Sequence, residues 1–133
     1  MDTQQRKDKE KMDSQKTEEL KLKIEKQIAG AVWIQTFGVL LEVILLEKLD
    51  ALSKENIEGE TEALIGAWIQ LTGLITESIG ATQQAFEPSL VLEGQQVAVV
   101  GNLLQSIGSA LKAVGGEKVF LNDLLNRVSD FVE

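Results

Sequence analysis

"GAWIQLTGLITESIG" (residues 66–80) is matched by "AVWIQTFGVLLEVIL" (31–45) one period of 35 residues earlier and by "GNLLQSIGSALKAVG" (101–115) one period later. Trp33, Trp68 and Leu103 share one register, as do Gln35, Gln70 and Gln105, and Gly38, Gly73 and Gly108. Repeats of this length read as one supersecondary unit copied so that neighbours bury each other's apolar faces. Each copy here is one long helix plus a turn, and three such copies are too few for a solenoid. The period therefore predicts helices folded back on one another into a single bundle.

A second period, of seven, runs inside each copy. Gly66, Gly73 and Gly80 are seven apart, as are Gly101, Gly108 and Gly115; the first copy has Ala31, Gly38 and Leu45. Four residues after these positions stand Gln35, Glu42, Gln70, Glu77, Gln84, Gln105 and Lys112. On a helical wheel this gives an apolar arc, glycine at its edge and a polar stripe just beyond. A 3.5-residue period favours left-handed packing of nearly parallel axes. Glycines 30, 38, 66, 73, 80, 101 and 108 fall inside expected helices. Each costs roughly 0.5–1 kcal/mol against alanine, about 4–7 kcal/mol together. Close approach of helix backbones along the glycine edge would offset that cost; bending or rearrangement is the other reading.

The expected fold is all-α: an antiparallel bundle of three long glycine-containing repeat helices plus a shorter C-terminal helix. Residues 1–16, almost wholly polar, read as a disordered charged tail, and 17–133 as one domain. Its repeats cover about 24–58, 59–93 and 94–116. The first helix spans about 17–53, capped by Thr17 or Ser14 and bent at Gly30. "SKENIEG" (53–59) breaks the chain. The second helix, about 60–86, stops before Pro88, because the residue preceding a proline is pushed out of the helical region. "EPSLVLEG" (87–94) connects to a third helix, about 95–114, which Gly115 and Gly116 end. Leu121, Leu124, Leu125, Val128 and Val132 then mark a closing helix over 118–132.

Composition bounds the function. Across 133 residues there is no cysteine, histidine or tyrosine. That removes disulfides, thiolate chemistry and the usual general base and metal ligand. The net charge is −8, and the basic residues sit mostly before residue 28, interspersed with acids. An acidic body repels phosphate backbones, so nucleic-acid binding is not expected. The first apolar run starts near Ile28 behind a charged stretch, unlike a signal peptide.

Glu42 and Glu77, equivalent in the repeat, would suit a carboxylate metal site. Such sites also need a Glu-x-x-His partner, and the third copy places Lys112 there. Gln35, Gln70 and Gln105 read as a polar rim; Trp33, Trp68 and Leu103 read as core anchors. No catalytic, cofactor or metal site is expected. The stretch 28–46, with one charge, has hydropathy in the transmembrane range, while the later copies are more amphipathic.

The "GAWIQ..G" phrases with their 35-residue echo resemble a family of small repetitive proteins of unknown role from endospore-forming bacteria. The resemblance rests on Ala67, Trp68, Ile69, Gln70 and Gly73 and their first-copy counterparts, over about 29–115. It implies no activity, ligand or catalytic residue. The expected function is thus a non-enzymatic, cytoplasmic bundle acting by protein–protein contact or self-association. The alternative is a membrane-associated or membrane-inserting amphipathic protein; a carrier with an apolar cavity between helices is a third reading.

Overall fold

The computed structural model describes residues 2–53 and 57–132, and among them the secondary structure is helical throughout. Helix α1 runs Thr3–Leu52, α2 runs Glu60–Phe86, a short 3-10 turn spans Pro88–Leu90, and α3 runs Val91–Val132. The protein is all-α. Part of the expected breaker, residues 54–56, lies outside the described residues, as do Met1 and Glu133.

Four expectations are corrected. The charged head is helical from Thr3, because it extends an existing helix without a new nucleus and carries complementary side chains one turn apart. Arg6 pairs with Glu10 at 3.2 Å and Lys21 with Glu18 at 3.4 Å. Thr17 lies mid-helix and donates to the Asp13 carbonyl instead of capping. Gly94 sits inside the first turns of α3, not before it. Gly115 and Gly116 continue α3, so the closing helix is the second half of α3 and not a fourth element. Gly115 is buried against Gly59, a contact that compensates a mid-helix glycine.

The turn signals hold where they are described. Gly59 caps α2 with φ of 100°, in the left-handed region that glycine enters without a Cβ penalty. Glu60 and Glu62 follow in the first turn, where acids suit the helix dipole. Glu87, ahead of Pro88, has φ −122° and ψ 88°, outside the helical region.

Helix α2 is the middle element. It packs against both α1 and α3, whereas α1 and α3 make no close backbone approach among the described residues. Contact partners descend on one helix as they ascend on the next. Trp33 meets Thr82, Thr36 meets Ser78 and Glu47 meets Trp68; across the other face Gly66 meets Gly108 and Gly80 meets Gly94. Each neighbour therefore runs opposite to α2.

The core is thin. Val43, Ala67 and Leu71 form its centre, with Val39 and Leu46 alongside. Leu74, Ala85, Ala29 and Val32 complete the buried apolar set. Most of the large hydrophobic residues remain outside it.

Candidate functional site: a glycine seam between two helices

The seam between α2 and α3 is built on glycine pairs: Gly59 with Gly115, Gly66 with Gly108, Gly73 with Gly101, and Gly80 with Gly94. A Cβ on Gly66 would lie 2.6 Å from the Gly108 carbonyl oxygen and 2.6 Å from the Lys112 amide nitrogen. On Gly80 it would lie 2.5 Å from both the Gly94 oxygen and the Ala98 nitrogen. No real Cβ fits at such distances, so the backbones touch. The heptad spacing keeps one glycine per two turns on this line, and dispersion attraction between the touching backbones offsets the low helix propensity.

At 100° per residue, the residue before each glycine and the residue four after it lie on opposite sides of the seam. One flank is apolar in its middle, with Ile65, Ile79, Val100, Ile107 and Val114 all exposed, but it also carries Thr72 and, at the ends, Glu58 and Glu93. The other is polar and cross-linked. Glu77 accepts a hydrogen bond from Gln105 Nε2. Lys112 Nζ donates to Gln70 Oε1 at 3.2 Å and pairs with Glu42 Oε1 of α1 at 2.5 Å. That ion pair links α1 to α3. Near the open end, Lys118 Nζ pairs with Glu62 Oε1 at 2.8 Å. The hydrogen bond from Lys118 holds the Glu62 carboxyl below its ordinary range, and the same bond from Glu62 raises Lys118.

The residues singled out by register do not share one fate. Gly73 and Gly108 lie in the seam, but nothing lies within 4 Å of a Cβ on Gly38. Gln70 and Gln105 join the polar flank, while Gln35 is exposed. The expectation of common core anchors is corrected. Trp68 and Leu103 stand two residues after a seam glycine, about 200° round the helix, and are exposed. Trp68 Nε1 donates to Glu47 Oε1 at 3.0 Å. Trp33 faces α2 because α1 does not pack through its glycine edge; it is half-buried and its Nε1 donates to Thr82 Oγ1 at 3.0 Å. Its ring also meets Phe37, centroids 6.3 Å apart.

One polar contact was not anticipated. Thr36 and Ser78 are buried between α1 and α2 with their hydroxyls 2.8 Å apart, and Thr36 Oγ1 also donates to the Val32 carbonyl at 2.9 Å. Their positions are not equivalent in the repeat, and the other copies place Leu71 and Ser106, or Val43 and Ala113, there. Periodicity therefore gave no signal for the pair.

Among the described residues no cluster of carboxylate, histidine or cysteine side chains has metal-binding geometry. One open groove, about 370 Å³, is lined by Trp33, Ile79, Thr82, Gln83, Phe86, Glu87 and Leu90.

These features define an all-α protein organised around a helical hairpin with a glycine seam. The chain belongs to the family of unknown function DUF6944, whose model matches residues 61–130. The match covers nearly all of α2 and α3 and none of α1. No curated protein and no solved structure matches the chain.

Proposed function

We propose that the chain is a non-enzymatic helical protein that works by self-association through apolar faces left uncovered in the single copy. The observation that carries this reading is the inverted placement of side chains. Beyond a thin apolar core, the helix contacts are made by glycine, alanine, serine and threonine, while Ile34, Phe37, Leu45, Val100, Leu103 and Ile107 are each more than half exposed. Covering a large aliphatic or aromatic side chain is worth about 1.5–3 kcal/mol. Continuous exposed apolar faces on this scale mark surfaces that meet a partner.

A specific observation favours a second reading, in which lipid covers these faces. Each of α1, α2 and α3 with its preceding turn holds a stretch long and apolar enough to cross a membrane. Small residues at helix contacts and inward-paired charges are common in such settings. Against it, α3 exposes Gln95, Gln96, Asn102, Ser106 and Ser109, and moving so many polar side chains from water into hydrocarbon is costly even though Ser106 Oγ donates to the Asn102 carbonyl. That polar row supports assembly in water over the lipid reading.

Sedimentation of the full chain in aqueous buffer tests the reading. A discrete oligomer at micromolar concentration is expected. A strict monomer, or recovery of the chain only with floated phospholipid vesicles, would reject it.

A further inference from the structure

We infer that α1 docks a second copy of this chain, α1 against α1 in opposite directions, with Ala31 of each protomer over the partner's Gly38. The inference rests on the self-association reading and names the surface and register it would use.

The hairpin supplies the template. In the repeat, positions 66 and 101 are equivalent, and so are 73 and 108. The seam pairs Gly66 with Gly108 and Gly73 with Gly101. It is therefore one pairing made twice in opposite order, a local two-fold in which one copy of the repeat recognises another. The first copy carries Ala31 and Gly38 at these positions, flanked one heptad out by Ile24 and Leu45. All four are exposed, whereas every corresponding glycine of α2 and α3 is buried. They also face away from α2, because the contact face of α1 carries Ala29, Val32, Thr36 and Val43.

The polar flank is complementary as well. Gln105 and Glu77, hydrogen-bonded across the hairpin, are the register equivalents of Gln35 and Glu42. Two antiparallel α1 helices in this register bring Gln35 beside the partner's Glu42 twice, by symmetry. Lys112 occupies one oxygen of Glu42, and a carboxylate accepts further bonds. The opposite flank presents Phe37 and Ile44, both exposed. Beside Gly38 an open groove of about 340 Å³ runs along Leu41, Leu45 and Leu49, apolar and able to take a partner's side chains.

The two seams differ in closeness. Ala31, Ile24 and Leu45 replace glycines, so α1 helices stand further apart than α2 and α3. Their contact is interdigitated side chains rather than touching backbones.

The absence of native cysteine makes the register directly testable. Full-length Ala31→Cys and Gly38→Cys chains are oxidised singly and as a mixture, and disulfide-linked dimer is read on a non-reducing gel. The mixture should give several-fold more dimer than either variant alone. Identical positions sit seven residues out of register, about 10 Å along the axis, beyond the roughly 7 Å a disulfide spans. Gly38→Leu should lower the oligomeric state with helicity unchanged, since its side chain enters open space in the single copy. Equal cross-linking by the single variants, or an oligomer indifferent to Gly38→Leu, overturns the inference. An oligomer with no cross-link in the mixture overturns this register and leaves self-association standing. A wild-type monomer removes both.

Discussion

Gly73 and Gly101 face each other across the hairpin so closely that a Cβ on Gly73 would lie 2.6 Å from the Gly101 carbonyl oxygen. Gly38, its equivalent in the first copy, meets nothing within 4 Å. The same substitution at the two sites should therefore act with opposite sign. Within the single copy, Gly38→Ala should raise stability by about 0.5–1 kcal/mol, the helix-propensity gain alone. Gly73→Ala has the same gain but must force two backbones apart, and overpacking costs about 1–3 kcal/mol or more. Urea unfolding followed by circular dichroism should show the midpoint rising for the first and falling for the second. A common direction of change would discard the seam.

The buried Thr36–Ser78 contact makes its own prediction. Thr36→Val keeps the shape but leaves the Ser78 hydroxyl without that partner in a site of 0% exposure. Orphaning a buried hydroxyl costs about 1–3 kcal/mol. Replacing both, as Thr36→Val with Ser78→Ala, should recover part of the loss. A double-mutant cycle measures this, and additive losses would show that the two hydroxyls are not coupled.

These two contacts also mark how far the sequence could be read. The glycine line, the polar stripe four residues on and the stop before Pro88 are all written in periodicity or in local backbone sterics, and α2 follows them at both ends. What periodicity hid is which copy docks on which. Gly38 and Gly73 are alike in sequence, yet only α2 and α3 close through glycine, because α1 has Ala31, Ile24 and Leu45 where they have glycines. Helix α1 packs through Val32, Thr36 and Val43 instead, the register equivalents of Ala67, Leu71 and Ser78, which are buried on α2. Gly115 misled for a related reason: a glycine that reads as a helix stop becomes a contact point when another backbone lies against it.

Stability should depend on pH through the Glu62–Lys118 pair. The Lys118 hydrogen bond lowers the Glu62 pKa from its ordinary 4.5, so its contribution is present above 4.5 and is lost as pH falls through the lowered value. Lys118 is raised from 10.5 chiefly by the same bond, and the Glu58 charge adds to it. Its contribution is complete below 10.5 and is lost as pH rises through the raised value. The difference in urea midpoint between wild type and Glu62→Gln should therefore be flat through neutrality and close at both extremes. Because both groups are partly exposed, the difference should also shrink at high salt. A difference that persists at low pH would reject the assignment.

Lys112 is the remaining link to test, since its ammonium holds both Gln70 of α2 and Glu42 of α1. Removing it should loosen α1 more than the hairpin, whose seam is made by backbone contacts. A suitable reporter is Trp33, half-buried at the contact between α1 and α2. In a Trp68→Phe background it is the sole tryptophan, and the chain has no tyrosine to compete. Lys112→Met should red-shift Trp33 emission or lower the urea concentration at which it shifts, while circular dichroism loses little helix. The Glu42 and Lys112 side chains are 40% and 29% exposed, so the expected coupling is modest, about 0.5–1 kcal/mol in a cycle with Glu42→Gln. Unchanged Trp33 emission across that cycle would mean that α1 is held by the Thr36 and Val43 face alone.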